Sequence, residues 1–178
     1  MIENNIQCDD PHKVETFGNP KILILGHGRH GKDTVAGMIN KFKGYKFSSS
    51  SWAALDVIWP CLQEFIRYTN KEEAYEDRHN HRELWKRLIS LYNTPDKSAL
   101  CRHIFKNNDI YVGMRCNKEF EACRHLFDLI VWVEDYRKPI DSTMKISKEN
   151  LYGGVYLIDN NGSLEYLEES VKNLCLSL

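Results

Sequence analysis

Residues 21–34 read Lys-Ile-Leu-Ile-Leu-Gly-His-Gly-Arg-His-Gly-Lys-Asp-Thr, and this stretch decides the fold of the 178-residue chain. The apolar run at 21–25 is short and is stopped by Gly26, which predicts a buried parallel strand rather than a helix. Residues 26–34 fit the pattern GxxxxGK, and apolar residues recur at helical spacing from 31 to 42. A strand, a glycine-rich turn and a helix therefore follow in the order that a phosphate-binding loop requires.

The chemistry of such a loop predicts an ATP-binding site. Its glycines let successive backbone N–H groups point at phosphate oxygens, the helix N-terminus adds positive potential, and Lys32 supplies a mobile charge. The predicted ATP-binding residues of the loop are Gly26, His27, Gly28, Arg29, His30, Gly31, Lys32, Asp33 and Thr34. The usual pattern has Ser or Thr where Asp33 stands. Mg²⁺ is therefore expected on Asp33, directly or through water, or on Thr34.

The rest of the chain alternates between strand and helix patterns. Further strands are predicted at 45–47, 109–113, 129–133 and 156–158, and helices at 52–68, within 71–108, at 120–127 and at 163–174. This alternation predicts a P-loop NTPase-type three-layer α/β sandwich, with a five-stranded parallel sheet covered by helices on both faces.

The same reading divides the chain. We expect an N-terminal arm at 1–20 and a single domain at 21–178. Within that domain, residues of about 48–108 form a helical acceptor-binding insertion and residues of about 134–150 a short lid loop.

Composition narrows the class of protein. The chain has 42% hydrophobic and 28% charged residues and a net charge of −1, which excludes disorder and gives no basic field for long nucleic acid. Its six cysteines show no CxxC pair, as expected of reduced thiols. The polar start and the lack of any run near ~20 apolar residues predict a cytoplasmic protein without membrane contact.

Among proteins with such a loop, the remaining sequence favours a small-molecule kinase. No guanine-reading NKxD-like element or DxxG switch stands in a usable position, which argues against a GTPase. The third strand continues Val112-Gly113-Met114-Arg115 instead of ending in Asp-Glu, as motor ATPases usually do. A helical insertion between the second and third strands is typical of small kinases that bind an acceptor.

Several blocks of the sequence resemble the bacteriophage-type deoxynucleoside monophosphate kinases. The blocks are GKDT at 31–34, DIYVGMRCNKE at 109–119, IVWV at 130–133 with RKP at 137–139, and LIDNNGSLEYL at 157–167. In that family the third strand tends to carry an aspartate, and Gly113 stands at its position here. The resemblance implies ATP-dependent phosphorylation of a (deoxy)nucleoside monophosphate with Mg²⁺, in the host cytoplasm if the protein is of phage origin. The sequence leaves a homodimer open.

Phosphoryl transfer depends on positioning and charge neutralisation, so arginines are the expected partners of Lys32. Arg115, at the carboxyl end of a central strand, is predicted to touch the acceptor phosphate, and a salt bridge to Glu119 is its alternative role. Arg78 and Arg82 are four residues apart and are predicted to share a helical face toward the acceptor, or else to be a solvated face. The predicted catalytic residues are Lys32, Arg115 and Arg137.

The remaining candidates line the two nucleotides. Arg137 and Lys138 would belong to a lid that closes over the donor. Trp52 is predicted to stack on the acceptor base, with Tyr68 and Trp85 as further candidates. The apolar neighbours of Trp85 favour a position in the helical core for that residue. Residues 160–162, including Asn160 and Gly162, are expected near the adenine of ATP.

Two rival functions stay open. One is a kinase that acts on a non-nucleotide metabolite, such as a phosphorylated alcohol or a coenzyme precursor. The other is a regulatory module that binds ATP without transferring phosphate, for which the absence of an aspartate at Gly113 is the best support.

Overall fold

The computed structural model describes residues 18–151 and 154–178. Residues 1–17, most of the predicted N-terminal arm, lie outside the described residues. The strands are β1 (Ile22–Leu25), β2 (Phe47–Ser49), β3 (Ile110–Val112), β4 (Leu129–Glu134) and β5 (Val155–Asp159). The helices are α1 (Lys32–Lys43), α2 (Ser50–Phe65), α3 (Lys71–Asp77), α4 (Arg82–Tyr92), α5 (Ala99–Phe105), α6 (Asn117–Cys123) and α7 (Leu164–Leu176).

The five strands form one parallel sheet in the order β2-β3-β1-β4-β5. β1 is central, and its residue Leu23 pairs with Tyr111 of β3 and Ile130 of β4. All four residues of β1 are fully buried, because helices cover both faces of a parallel sheet and leave neither side of the strand to water. The predicted five-stranded parallel sheet is confirmed.

Alternate residues of β1 enter two separate cores. Ile22 and Ile24 belong to the core shared with α1 and α7, and Leu23 and Leu25 to the core under α2, α5 and α6. This division follows from the two-residue period of a strand, which points successive side chains to opposite faces. The predicted three layers of helix, sheet and helix are therefore confirmed.

The segment between β2 and β3 is helical and has a small core of its own. Helices α2 to α5 occupy residues 50–105, and a third apolar cluster includes Leu55, Leu62 and Trp85. Ser49 ends β2 and also caps α2, because its Oγ atom accepts the Trp52 N–H at 3.2 Å.

Some predicted bounds were wrong by a few residues. β2 covers Phe47–Ser49 rather than 45–47, because its pairing with β3 begins at Phe47, opposite Ile110, and continues through Ser49. α6 ends at Cys123, and residues 124–126 form a 3₁₀ turn rather than the end of the predicted helix. Within the described residues, no helix combines the length and the apolar character that crossing a membrane requires.

Candidate active site

The glycine-rich loop lies at the carboxyl end of β1, where it curls directly into α1. Gly31 precedes the helix with φ of 92°, a left-handed conformation that favours glycine. Gly26 has φ of 140°, and a Cβ there would meet the carbonyl oxygen of Val133. Arg29 has φ of 65° and is the one non-glycine residue with positive φ among those described. The loop therefore has the tight curvature predicted from its sequence.

Lys32 is the first residue of α1, and its side chain folds back over the loop. Its Nζ atom donates to the carbonyl oxygen of His27 at 2.5 Å. Burial lowers the pKa of Lys32 below its ordinary value, and the charge of Arg115 adds to that, while Asp33 and Asp141 oppose it. The ammonium is thus held against the loop by the His27 carbonyl oxygen.

His30 supports the loop from below. It is 2% exposed, and its Nδ1 atom accepts the backbone N–H of Asp135 at 3.0 Å. Burial is the main cause that lowers the pKa of His30, which keeps the imidazole neutral. Sequence reasoning missed this role, since a histidine inside a phosphate loop carries no signal of what lies behind it.

Asn160 supports the same loop from the end of β5. Its Nδ2 atom donates to the carbonyl oxygen of His30 at 3.1 Å, and it lies against Gly31, where a Cβ would collide with it. The side chain of Asn160 thus contacts the phosphate loop itself. Gly162 is exposed beside Tyr166.

Arg137 joins these supports. Its guanidinium donates to Asp135 from Nε at 2.7 Å and from Nη2 at 3.0 Å, and Nη2 also donates to the carbonyl oxygen of Asn160. Lys138 is exposed. The Arg137 guanidinium is therefore already hydrogen-bonded to Asp135 and Asn160, the latter of which contacts the phosphate loop.

Arg115 lies three residues beyond β3 and is held by the segment that follows β4. Its Nη1 atom is 3.1 Å from Asp141 Oδ2 and donates to Thr143 Oγ1 at 2.6 Å. The alternative salt bridge to Glu119 does not form, because Glu119 instead accepts a hydrogen bond from Asn93 at 2.9 Å. Asp141 was missed by sequence reasoning, since one aspartate in a charged loop has no distinguishing pattern.

Asp141 is also attached to the phosphate loop. Its backbone N–H donates to His27 Nδ1 at 3.3 Å, and its Oδ2 atom is 3.1 Å from the point that a Cβ on Gly28 would occupy. Burial favours the neutral carboxyl, but hydrogen bonds from Thr143 and the charge of Arg115 outweigh it and lower the pKa of Asp141. The carboxylate is therefore ionised beside the loop.

A slot of about 210 Å³ opens beside the start of α1. It is lined by Asp33, Phe47, Ser48, Ser49, Trp52 and Tyr75. The Trp52 and Tyr75 rings meet edge to face with centroids 5.0 Å apart. Tyr68 is buried in the core of the insertion, so its stacking on an acceptor was wrongly predicted. Trp85 is buried in the same core, as its apolar neighbours predicted. Phe47 and Tyr75 were missed.

Arg78 and Arg82 do not share a helical face, and that expectation was wrong. α3 ends at Asp77 and α4 begins at Arg82, so a turn separates the two arginines. The Arg78 guanidinium lies 3.7 Å above the Tyr75 ring, next to the slot. The charge of Arg78 first, and then burial, Arg82 and Arg29, lower the pKa of His79.

Gly113, at the end of β3, faces Lys32. It has φ of 91°, and a Cβ there would lie 3.9 Å from Lys32 Cε and 3.7 Å from Ser50 Oγ. Its carbonyl oxygen accepts from Ser50 Oγ at 3.1 Å. The backbone at this position therefore has a conformation that disfavours any side chain.

The donor atoms near Lys32 suit a hard cation. Asp33 and Thr34 are exposed in the first turn of α1 and offer a carboxylate and a hydroxyl, the oxygen ligands that Mg²⁺ prefers. Residues 18–151 and 154–178 contain no group of three or more His, Cys, Asp or Glu side chains arranged to hold a metal. Mg²⁺ bound through nucleotide phosphates and one or two side chains is compatible with this set.

Comparison with known proteins places the fold. The sequence matches no protein family model and no curated protein. TT1252 from Thermus thermophilus is similar in structure, with a TM-score of 0.50 and 14% identity over 90% of this chain and 98% of that one. A gluconokinase from Sinorhizobium meliloti 1021 aligns with a TM-score of 0.47 and 11% identity over 89% of this chain and 94% of that one. The similarity shows the fold, an α/β architecture built on a five-stranded parallel sheet. The strand order brings the carboxyl ends of β1, β3 and β4 together at the edge where the described site lies.

Proposed function

We propose that the protein transfers the γ-phosphoryl group of ATP to the phosphate of a (deoxy)nucleoside monophosphate. The observation that carries this proposal is the position of Lys32, whose ammonium lies over a curled glycine loop at the start of α1. Arg115 and the aromatic slot lie at the same edge of the sheet.

The donor would bind at the phosphate loop. Backbone N–H groups of residues 27–34 would hold its phosphates, and Lys32 would neutralise charge at the β and γ groups. Mg²⁺, when bound, supplies further charge neutralisation on the phosphates, and Asp33 or Thr34 would hold it. Asn160 and His30 keep the loop in shape by their hydrogen bonds, so they act as positioning residues.

The acceptor would bind between the loop and the insertion. Trp52 and Tyr75 would offer aromatic contacts for a base, and the Arg78 guanidinium lies over the Tyr75 ring. Arg115 would contact the acceptor phosphate, with Arg82 at the start of α4 as a further contact. No general base is needed, because a phosphate acceptor is already ionised.

The segment of about 134–150 would serve as the lid. Arg137 would have to exchange its bonds to Asp135 for contacts with the donor, and Lys138 is exposed and available for the same contact. Closing this segment would exclude water from the transferring group.

A second candidate acceptor is a non-nucleotide metabolite, and the lining of the slot favours it. Asp33, Ser48 and Ser49 provide hydrogen-bond acceptors and donors, and neither lysine nor arginine lines the slot in the described part of the chain. A carboxylate beside a hydroxyl-rich acceptor could take a proton from the attacking hydroxyl.

The test is an ADP-release assay with four deoxynucleoside monophosphates, four ribonucleoside monophosphates and a panel of sugars and phosphorylated alcohols. Turnover that depends on a monophosphate supports the proposal, and turnover with a sugar or an alcohol phosphate supports the second candidate. ATP binding without turnover on any acceptor would identify a regulatory module. The Lys32→Ala variant should lose turnover while its circular dichroism spectrum stays unchanged, and full activity there would refute the site.

A further inference from the structure

Asp141 lies close to the cations of the phosphate site. Its Oδ2 atom is 3.1 Å from Arg115 Nη1 and 3.1 Å from the point that a Cβ on Gly28 would occupy. The hydrogen bond from its backbone N–H to His27 holds it in this place. An ionised carboxylate is therefore fixed against the loop that we propose binds the donor.

Both cations of the site already have acceptors within the chain. Arg115 is bound to Asp141 and Thr143, and Lys32 donates to the carbonyl oxygen of His27. A triphosphate at the loop needs the same two cations. A carboxylate a few ångströms from a phosphate group repels it strongly where protein excludes water.

We infer that Asp141 is an internal competitor of the donor phosphates, so that ATP binding displaces residues 141–143 from Gly28 and releases Arg115. This inference rests on the proposed binding of ATP at the loop of Lys32. The donor would therefore bind before the acceptor, because Arg115 becomes free for an acceptor phosphate only after the donor is bound.

The contacts of the carboxylate favour competition over metal binding. Its Oδ1 atom accepts from both the N–H and the hydroxyl of Thr143, at 2.9 Å and 2.6 Å, and its Oδ2 atom pairs with Arg115. Both oxygens are thus committed to donors within the chain. A metal ligand would have to give up these bonds, whereas a competitor for Arg115 requires them.

The experiment measures binding of ATP and of inorganic triphosphate by calorimetry, with Mg²⁺ chelated. Asp141→Asn keeps the shape of the side chain and removes its charge, and it should bind both ligands roughly tenfold more tightly. The control is Glu121→Gln, which makes the same charge change at an exposed residue of α6 and should leave both affinities unchanged.

A second measurement uses the unmodified protein and does not depend on how well a variant folds. The backbone N–H of Asp141 donates to His27 Nδ1, and that of Lys145 donates to the carbonyl oxygen of Arg115. Hydrogen exchange at both N–H groups should become faster when triphosphate is bound. Unchanged or weaker binding by Asp141→Asn would overturn the inference, as would slower exchange at these two groups.

The Lys32→Ala variant distinguishes an error in the proposed donor site from an error in the role of Asp141. If it binds triphosphate as well as the unmodified protein, the proposed donor site is wrong. If it loses binding but Asp141→Asn gains none, the donor site stands and only the role of Asp141 fails.

Discussion

His30 Nδ1 accepts the backbone N–H of Asp135 at 3.0 Å, and this bond joins the middle of the phosphate loop to the end of β4. Only the neutral imidazole can accept at Nδ1, because both ring nitrogens of a protonated histidine are donors. With 2% of the residue exposed, water cannot replace the lost bond. The shape of the loop therefore depends on the protonation of one buried side chain.

The first prediction is a loss of stability at mildly acidic pH. The pKa of His30 is lowered in the folded protein, mainly by burial, from an ordinary value of 6.5. Below that value the unfolded chain binds more protons than the folded one, so stability is complete above it and falls as the pH falls through the folded pKa. Thermal unfolding between pH 7.5 and 5 should show this decrease. His30→Gln should be less stable at neutral pH, and its melting temperature should change less over this pH range. An equally steep decrease in that variant would show that His30 is not its cause.

The second prediction concerns Gly31. A side chain there meets Asn160 and requires positive φ, which costs about 1–2 kcal/mol for ordinary residues. Gly31→Ala should therefore lower the free energy of unfolding by at least that amount and abolish ATP binding.

Gly37 is the matched control, because it lies within α1 with open space around its Cα atom. Gly37→Ala should raise the free energy of unfolding by roughly 0.5–1 kcal/mol and leave ATP binding intact. Equal effects of the two alanines would show that the helix, not the loop, responds to the substitutions.

The third prediction separates two tryptophans of the insertion. Trp52 is 38% exposed in the slot, so Trp52→Ala should raise the KM for the acceptor with little change in melting temperature. Trp85 is 4% exposed in the core, so Trp85→Ala should cost about 3–5 kcal/mol of stability. An unchanged acceptor KM in Trp52→Ala would remove the slot from the acceptor site.

The fourth prediction concerns Gly113, which lies directly after β3. Its φ of 91° should make Gly113→Ala less stable by about 1–2 kcal/mol. Gly113→Asp should cost less, because aspartate tolerates left-handed backbone better than alanine does. Chemical unfolding of both variants tests this order, and an alanine variant at least as stable as the aspartate one would contradict it.

The sequence predicted the parts of the fold that follow from local pattern. The buried run of β1, the GxxxxGK loop and the helix after it were predicted in place, because each depends on neighbouring residues alone. The helical insertion was predicted as well, since the charged segment after β2 has helical spacing. Strand ends were less accurate, because pairing with β3 rather than propensity decides where β2 begins.

Contacts between distant segments were not predictable. Asp141 reaches Arg115 across 26 positions of sequence, and nothing near either residue indicates the pair. Tyr75 rather than Tyr68 lines the slot, and the choice depends on how α3 packs against α2. The turn between Arg78 and Arg82 was missed because four-residue spacing fits a continuous helix equally well.

Ser49 limits how far α2 can move relative to the sheet. Since the same residue closes β2 and caps α2, the sheet and the insertion are joined without a linker. Rotation of α2 as a rigid body would cost either a ladder pair with Val112 or the cap on Trp52. α2 is thus fixed to the sheet. We expect any opening and closing of the site to involve the helices that follow α2 and the segment after β4.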